Sequence, residues 1–322
     1  MIDRTKHRIL FLAPQSTYRL QAFLEAAQHL EVEISIGNDR CHVLAEQWPV
    51  GPLPLDFRDP ELAAQQILTS SRTQAFDAII AADDHTAVIA ALASAQLGLP
   101  HNSVASVYAA RNKFVMRQML AAANAATPRF VKYSSSTPPQ QVLPEIFFPC
   151  VLKPLLLSGS RGVMRANTRE EFCAAFLRLK KLLHRREFFD VKDTAAKEIL
   201  VEEYIPGIEV AVEALLIEGE LTPLALFDKP DPLEGPFFEE TIYVTPSRLS
   251  LSTQEKIFAA TAQAATALGM KHGPVHAELR INDNGVWVIE IAARTIGGLC
   301  SHTLRFGTGM SLEELVLRHA LG

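Results

Sequence analysis

The sequence predicts a mixed fold class, α/β in its first part and α+β in its second. Two observations predict it. Buried-strand and amphipathic-helix patterns alternate over residues 7–110, which is typical of a parallel sheet covered by helices. Beyond the polar tract 133–139, which ends in two prolines and predicts a loop or linker, tight turns join the strand-like segments. Such turns are typical of antiparallel sheet.

Each element of the first half follows from a local pattern. Residues 7–13 form an apolar run that predicts a buried strand, and residues 18–30 carry apolar side chains at helical spacing. Asp59 is a typical N-cap, and Pro60 a typical first residue, for a helix at 60–68. The remaining predicted elements are strands at 32–36 and 77–82 and a helix at 86–97, closed by Gly98.

Asp83 and Asp84 follow the predicted strand at 77–82. The carboxyl ends of strands are where open α/β sheets bind ligands, so one interpretation is a contact with substrate. The other is a helix cap followed by a solvated turn, and we favour it because the next residues begin a helix.

The second half predicts longer strands. Ile208 to Ile217 and Leu221 to Phe227 flank the turn Glu218-Gly219-Glu220, which predicts an antiparallel hairpin. The other predicted elements are strands at 148–157 and 199–204, a helix at 168–184 with Thr168 and Glu171 as a capping box, and a helix at 253–268.

Composition excludes several classes of protein. Of the 322 residues, 48% are hydrophobic and 21% charged, with a net charge of -5 and scattered basic residues, so we expect no nucleic-acid partner. No apolar run approaches the ~20 residues of a spanning helix, and the N-terminal run is too short for a secretion signal. We therefore expect no membrane partner.

The four cysteines are Cys41, Cys150, Cys173 and Cys300. They lie far apart and form no Cys-x-x-Cys pair, so we expect no structural zinc and interpret them as free cysteines of the core. Reduced cysteines predict a cytoplasmic protein.

A lysine and a glycine-containing loop form the first candidate site. Lys153 ends an apolar strand, where an ammonium needs an anionic partner because an unpaired buried charge is costly. The loop Ser158-Gly159-Ser160-Arg161-Gly162 follows, and its backbone N–H groups could close over phosphates. It lacks the Walker spacing. A hairpin with an edge lysine is the alternative interpretation.

A strand–turn–strand segment forms the second candidate site. Glu202, Glu203, Tyr204 and Ile205 precede Pro206-Gly207, and Glu209 follows. Adenine needs apolar faces and backbone polar groups, and ribose needs a carboxylate that accepts its hydroxyl protons; such a segment supplies all three. A charged strand edge is the alternative.

A hairpin carries the third and strongest candidate site. Pairing about the turn 282–285 puts Glu278 opposite Glu290. Glu290 lies in an otherwise apolar strand. Facing carboxylates repel, and a divalent cation between them removes that penalty. We therefore predict a magnesium site at this pair, with manganese as the alternative metal. Alternation places His276 on the same face as Glu278.

The strand that carries Glu290 ends at Arg294, and Gly297-Gly298 follow. An arginine here could clamp a carboxylate or a transferring phosphoryl group, and the glycines would let backbone approach a ligand closely. A solvent-exposed arginine in a strand-ending turn is the alternative.

In this order the motifs resemble the ATP-grasp superfamily, over nearly the whole chain. The segments that carry the resemblance are Arg111-Asn112-Lys113-Phe114, Val151-Leu152-Lys153-Pro154, Val201-Glu202-Glu203-Tyr204, Glu209, Glu278 and Glu290-Ile291-Ala292-Ala293-Arg294. The resemblance implies an N-terminal pre-ATP-grasp domain at 1–110 and an ATP-grasp domain at 111–322. The latter would comprise a small lid subdomain at about 130–204 and a C-terminal subdomain at about 205–322.

The resemblance also implies roles. Lys113 and Lys153 would contact ATP phosphates under the 158–163 loop, which includes Ser158, Gly159, Ser160 and Gly162. Glu202, Glu203, Tyr204 and Ile205 would hold adenine, and Glu209 ribose. Glu278 and Glu290 would be the magnesium ligands.

Arg294 would anchor phosphate or a substrate carboxylate. His276 would orient substrate or accept a proton from an amine, and a structural histidine is the alternative. Many members carry Glu-x-Asn where this chain has Ala292, so one metal ligand of the family pattern is missing, and a second magnesium would be weakly held or coordinated by water.

Gly-Pro-Val-His-Ala-Glu at 273–278 and the Glu-x-x-x-Arg-x-x-Gly-Gly ending resemble the L-amino acid ligase and carboxylate–amine ligase branch. This implies small-molecule carboxylate and amine substrates, of amino-acid type, joined through an acyl phosphate with release of ADP and phosphate. A second subunit could complete the acceptor pocket, which makes a homodimer the assembly to test. The alternatives are a carboxylase or purine-biosynthesis ligase that activates bicarbonate or formate, and a nucleotide-binding regulatory protein without turnover.

Overall fold

The computed structural model describes residues 6–14, 17–39, 53–185 and 192–322. Within these residues the strands form three four-stranded sheets, one in the N-terminal part and two in the remainder. The predicted fold class is confirmed, since the first sheet is parallel and the other two are antiparallel. The domain boundaries near residues 110 and 204 remain predictions.

The N-terminal sheet has the order β3-β2-β1-β4. Its strands are β1 Arg8–Leu12, β2 Glu33–Asn38, β3 Leu53–Pro54 and β4 Ala78–Ala81, and its helices are α1 Leu20–His29, α2 Pro60–Ser71, α3 Asp84–Leu97 and α4 Val104–Arg111. Ile9 and Phe11 pack on one face with α1, and Leu10 and Leu12 on the other with α2 and α3. Helices on both faces explain why β1 is a continuous apolar run. Asp83 caps α3, as the favoured interpretation predicts.

The second sheet has the order β5-β8-β6-β7. Its strands are β5 Phe130–Ser134, β6 Cys150–Pro154, β7 Met164–Ala166 and β8 Glu198–Glu203, and the helices of this part are α5 Lys113–Ala122, α6 Pro139–Val142 and α7 Arg169–Leu183. The predicted loop at 133–139 is wrong at its start, because Tyr133 pairs with Ile199 and Ser134 with Glu198 inside the sheet. Pairing with β8 outweighs the weak strand preference of the serine.

The third sheet has the order β10-β9-β11-β12. Its strands are β9 Ile208–Ile217, β10 Glu220–Lys229, β11 Gly273–Asn282 and β12 Gly285–Ala292, and the helices of this part are α8 Leu251–Ala267 and α9 Leu312–Leu321. The β9–β10 hairpin is confirmed, with Glu218 and Gly219 both at positive φ, as a two-residue turn of primed type requires. Apolar residues of β9, β11 and α8 form the core beneath the site.

Cys150, Cys173 and Cys300 are free, as predicted, but only Cys150 is buried in the core, whereas Cys173 and Cys300 are partly exposed. Cys41 lies outside the described residues. Among the helices of the described ranges, none combines the length and apolar character needed to cross a bilayer.

Candidate active site

One pocket between the second and third sheets collects most of the predicted site residues. Its lining includes Lys113, Lys153, Gly159, Ser160, Glu202, Glu203, Tyr204, Ile205, Glu209, His276, Glu278, Glu290 and Arg294. Ser158 and Gly162 line neighbouring cavities instead. Residues from 113 to 294 thus meet around one space, which the order of motifs implied and no single motif could establish.

The facing carboxylates lie where the hairpin places them. Glu278 on β11 pairs with Glu290 on β12, and the register shifts by a bulge immediately after Glu278. Their side chains are 20% and 22% exposed, so both can meet a ligand in the pocket. The predicted juxtaposition is confirmed, because a tight turn fixes the register of the strands it joins.

Lys113 reaches this pair from the start of α5. Its Nζ donates to the Leu157 carbonyl at 2.7 Å and lies 3.2 Å from Glu290 Oε1. Asn112 caps the helix, since its Oδ1 accepts from the N–H groups of Phe114 and Val115, and this cap fixes the residue before the lysine. Lys113 is therefore a buried cation placed between the glycine-containing loop and a candidate metal ligand.

Lys153, Glu202 and Arg117 form what we term the lid-side cluster. Lys153 Nζ lies 2.6 Å from Glu202 Oε2, and Arg117 Nε lies 2.6 Å from Glu202 Oε1. Burial by itself would raise the pKa of Glu202, but the charges of Arg117 and Lys153 outweigh it, so the pKa is lowered. The carboxylate is ionised, and two cations share one anion.

Arg117 is a residue that sequence reasoning missed. It is fully buried, and it also donates to the Ile289 carbonyl on β12, so it ties α5 to both sheets. A signal was present, because Arg117 lies four residues after Lys113 and therefore on the same face of α5.

Lys229, with the three carboxylates that surround it, forms what we term the metal-side cluster. Its Nζ lies 2.9 Å from Glu209 Oε1 and 3.2 Å from Glu278 Oε1, and it also contacts Glu240. Arg280 holds the other oxygen of Glu209 at 2.8 Å. Lys229 ends an apolar strand as Lys153 does, so the same reasoning applied to both would have found it.

The metal-side cluster carries more negative than positive charge. Burial and the neighbouring charge of Glu278 raise the pKa of Glu240, which Tyr243 and Lys229 contact. Oxygens of Glu209, Glu240 and Glu278 approach one another within 4.8 Å, but the Lys229 ammonium already lies among them. Glu278 meets Lys229 through Oε1, and Glu290 meets Lys113 through Oε1. Both carboxylates also line the pocket as hard oxygen donors, the kind that a divalent cation prefers. This donor set fits magnesium.

His276 lies between two acids. Its Nδ1 is 3.5 Å from Oε2 of Glu213, the residue opposite it on β9, and its Nε2 is 3.7 Å from Glu278 Oε1. Glu213 is fully buried, and burial raises its pKa. Glu213 Oε2 also accepts from the Ile296 backbone N–H at 2.9 Å, which connects His276 to the loop after Arg294. Sequence reasoning did not single out Glu213, which looks like one polar residue in an apolar strand.

The glycine-containing loop bends sharply. Gly159 and Ser160 both have positive φ, and the Val163 N–H donates to the Ser160 carbonyl at 3.1 Å. A Cβ added at Gly162 would lie 2.8 Å from Leu179 on α7, so this glycine permits close packing away from the pocket. Gly159 and Ser160 remain the residues that face the pocket.

Tyr204 and Glu209 have protein partners. The Arg165 guanidinium lies 3.9 Å from the centre of the Tyr204 ring, and Arg280 stacks at 5.2 Å. Both oxygens of Glu209 are paired with cations, as described above, which holds this carboxylate rigidly. Contacts of these residues with adenine and ribose remain predictions.

Arg294 lies where two cavities meet. It lines the pocket described above and a neighbouring cavity of about 390 Å³, and both cavities share Gly159, Glu240, His276 and Glu278. Its Nε donates to Asp84 Oδ1 at 3.0 Å and its Nη1 to the Thr295 carbonyl at 3.0 Å. The guanidinium is therefore fixed at one edge and faces ligand space with the other.

Comparison with known proteins confirms the predicted resemblance. The model of the ATP-grasp domain family matches residues 146–303. The chain is 29% identical to alanine–anticapsin ligase of Bacillus subtilis over 273 residues, which is 80% of this chain and 56% of that protein. It is 29% identical to dapdiamide A synthase of Enterobacter agglomerans over 195 residues, which is 59% of this chain and 43% of that protein.

Comparison with solved structures shows the same resemblance. L-amino acid ligase from Bacillus licheniformis superposes with a TM-score of 0.79 at 26% identity, over 99% of this chain and 75% of that one. N5-carboxyaminoimidazole synthase from Aspergillus clavatus superposes with a TM-score of 0.70 at 17% identity, over 98% and 77%, and this likeness shows the fold alone. The chain thus resembles ATP-grasp proteins, and among them the L-amino acid ligase branch. It spans about half the length of the curated relatives named above.

Proposed function

We propose that this ATP-grasp chain is an ATP-dependent carboxylate–amine ligase. It would phosphorylate a carboxylate, with release of ADP, and the amine would attack the acyl phosphate to form an amide or peptide bond with release of phosphate. ATP-grasp ligases use ATP, and the two curated relatives described above are named as a ligase and a synthase of small molecules.

The observation that carries this proposal is the meeting of two cavities at one set of side chains. Lys113, Lys153 and the facing carboxylates line one cavity. The neighbouring cavity shares Arg294, His276 and Glu278 with it. Its volume of about 390 Å³ lies within the range of pockets for small organic ligands. It favours a carboxylate of amino-acid size over bicarbonate or formate.

The residues would divide the chemistry between them. Lys113, Lys153 and the N–H groups near Gly159 and Ser160 would hold the phosphates, while residues 202–205 and Glu209 would hold adenine and ribose. Magnesium bound by Glu278 and Glu290 would neutralise negative charge on the phosphate oxygens. Arg294 would orient the substrate carboxylate or its phosphoryl group by paired hydrogen bonds.

The bond changes require little acid–base catalysis. In the first step a carboxylate oxygen bonds to the γ-phosphorus as the bond to ADP breaks, and in the second the amine nitrogen bonds to the acyl carbon as phosphate leaves. The attacking amine loses one proton. His276 lines both cavities and is the side chain best placed to receive that proton or to orient the amine.

Release of ADP and phosphate tests the proposal. The purified chain is incubated with MgATP and mixtures of amino acids, then with bicarbonate or formate in their place. We expect release to require one amino-acid pair and to match the amide formed. Release with bicarbonate alone would support the carboxylase alternative, and tight ATP binding without release in any mixture would support a regulatory protein.

A further inference from the structure

The N-terminal part of the chain contacts Arg294 and the residues that follow it, after strand β12. These contacts join residues 210 to 280 positions apart in the sequence. Arg19, at the start of α1, donates to Thr295 Oγ1 at 2.6 Å, to the Thr295 carbonyl at 3.0 Å and to the Ile296 carbonyl at 2.7 Å. Tyr18 Oη accepts from the Gly298 N–H at 2.5 Å. These bonds fix the backbone on the C-terminal side of Arg294.

Asp84 fixes the side chain of Arg294 itself. It is the first residue of α3, where the helix dipole favours a carboxylate, and its backbone is held because Asp83 and Thr86 form a capping box. Its Oδ1 accepts from Arg294 Nε at 3.0 Å, and the two side chains are only 13% and 12% exposed. Burial would raise the pKa of Asp84, but the guanidinium outweighs it and the pKa is lowered.

Asp84 contacts Arg294 but does not itself line the site. Arg294 lines both cavities, whereas Asp84 is absent from the lining of either. The fork of the guanidinium is divided accordingly: Nε faces Asp84, Nη1 faces the Thr295 carbonyl, and Nη2 has no hydrogen-bond partner within the described ranges. One edge of an otherwise rigid cation is thus left for a ligand.

We propose that Asp84 is a positioning residue, by which the N-terminal part of the chain aims Arg294 at the reacting carboxylate or phosphoryl group. The inference rests on the proposed function for the identity of that group. Without Asp84 the guanidinium would keep its charge but lose one of its two anchors. A misplacement of about 1 Å in such a group can cost on the order of a hundredfold in rate.

A double-mutant cycle with Asp84→Asn and Arg294→Ala tests this role. Asparagine preserves the shape but replaces the carboxylate with a neutral amide, whose oxygen is a weaker acceptor for Arg294 Nε. In the otherwise native chain, Asp84→Asn should lower kcat/KM for the carboxylate substrate about ten- to hundredfold, while the dissociation constant of ADP changes less than about twofold. In the Arg294→Ala background, the same substitution should change kcat/KM less than about twofold, because its target is gone.

Asp59→Asn is the matched control. Asp59 also caps a helix of the N-terminal part, and asparagine keeps that cap, but its ion pair is with the exposed Lys192. This variant should leave kcat/KM unchanged. Equal losses from Asp84→Asn with and without Arg294 would overturn the proposal, since Asp84 would then act independently of the arginine.

A binding measurement separates this inference from the proposed ligase activity. Inorganic phosphate, added with MgADP, should raise the Tm of the native chain, and this rise should shrink in Asp84→Asn and in Arg294→Ala. If no amino-acid pair supports turnover, the proposed function fails, and the phosphate-dependent rise in Tm still decides the positioning role. A rise that is the same in all three proteins would overturn it.

Discussion

The two charge clusters of the pocket differ in balance. In the lid-side cluster two cations, Arg117 and Lys153, share the single carboxylate of Glu202. In the metal-side cluster one lysine, Lys229, faces three carboxylates. The first cluster thus has positive charge to spare for phosphates, and the second has negative charge to spare for a cation. Both signs are needed to hold a nucleotide with its metal.

The carboxylates that line the pocket differ in how far the protein encloses them. Glu202 is 2% exposed and paired through both oxygens, so its loss should act mainly on the fold. Glu278 and Glu290 are about one-fifth exposed and open to the pocket, so their loss should act mainly on ligands. Arg117→Met, in the lid-side cluster, and Glu290→Gln should therefore separate a loss of stability from a loss of activity.

The largest expected effect is on activity, from Glu290→Gln. The substitution keeps the shape but removes the charge of a proposed magnesium ligand. We expect kcat to fall by about 10³-fold or more, because the stabilisation of phosphoryl charge is lost. The measurement is ADP release at saturating ATP.

Glu255→Gln is the control for that loss, because this glutamate lies on the exposed face of α8. It should retain full activity. An unchanged rate in Glu290→Gln across a magnesium titration would contradict the metal assignment.

The next effect is on stability, from Arg117→Met. Removal of a fully buried arginine leaves Glu202 with one cation and leaves the Ile289 carbonyl without that donor. Breaking a buried charge pair from one side costs about 3–5 kcal/mol, so the free energy of unfolding in urea should fall by that amount. A loss below about 1 kcal/mol would mean that the cluster is not structural.

A smaller effect should follow from pH. The folded-state pKa of Glu202 lies below its ordinary value of 4.5, so protons bind preferentially to the unfolded chain. The contribution of Glu202 to stability is therefore complete above that value and is lost as pH falls through the folded-state pKa. The difference in unfolding free energy between the native chain and Glu202→Gln should shrink below pH 4.5. Parallel pH profiles for the two proteins would contradict the lowered pKa.

The smallest effect should come from Arg129→Met, because the partner of Arg129 is Glu203, the residue next to Glu202 on β8. Arg129 pairs with Glu203 at 3.0 Å, but its side chain is 68% exposed. Exposed pairs contribute about 0–1 kcal/mol, so the same arginine-to-methionine change should be nearly neutral here. A loss comparable to that of Arg117→Met would remove the distinction between buried and exposed pairs on this strand.

The sequence predicted the parts of the site that depend on local pattern. Glu278 and Glu290 face each other because one short turn sets the register of β11 and β12. The β9–β10 hairpin followed in the same way from Glu218-Gly219. Alternation of strand and helix patterns was sufficient for the parallel sheet, since buried parallel strands and amphipathic helices differ in period.

The sequence did not predict the contacts that join distant elements. Arg117 meets Glu202 across 85 positions, and Arg294 meets Asp84 across 210. No periodicity encodes such pairs, because they depend on how α5 and α3 dock against the sheets. A glutamate in a strand gives the same sequence pattern whether cations enclose its side chain, as they enclose Glu202, or the side chain is open to a pocket, as that of Glu290 is. Only tertiary packing decides which carboxylates are neutralised by the protein and which remain to bind a ligand.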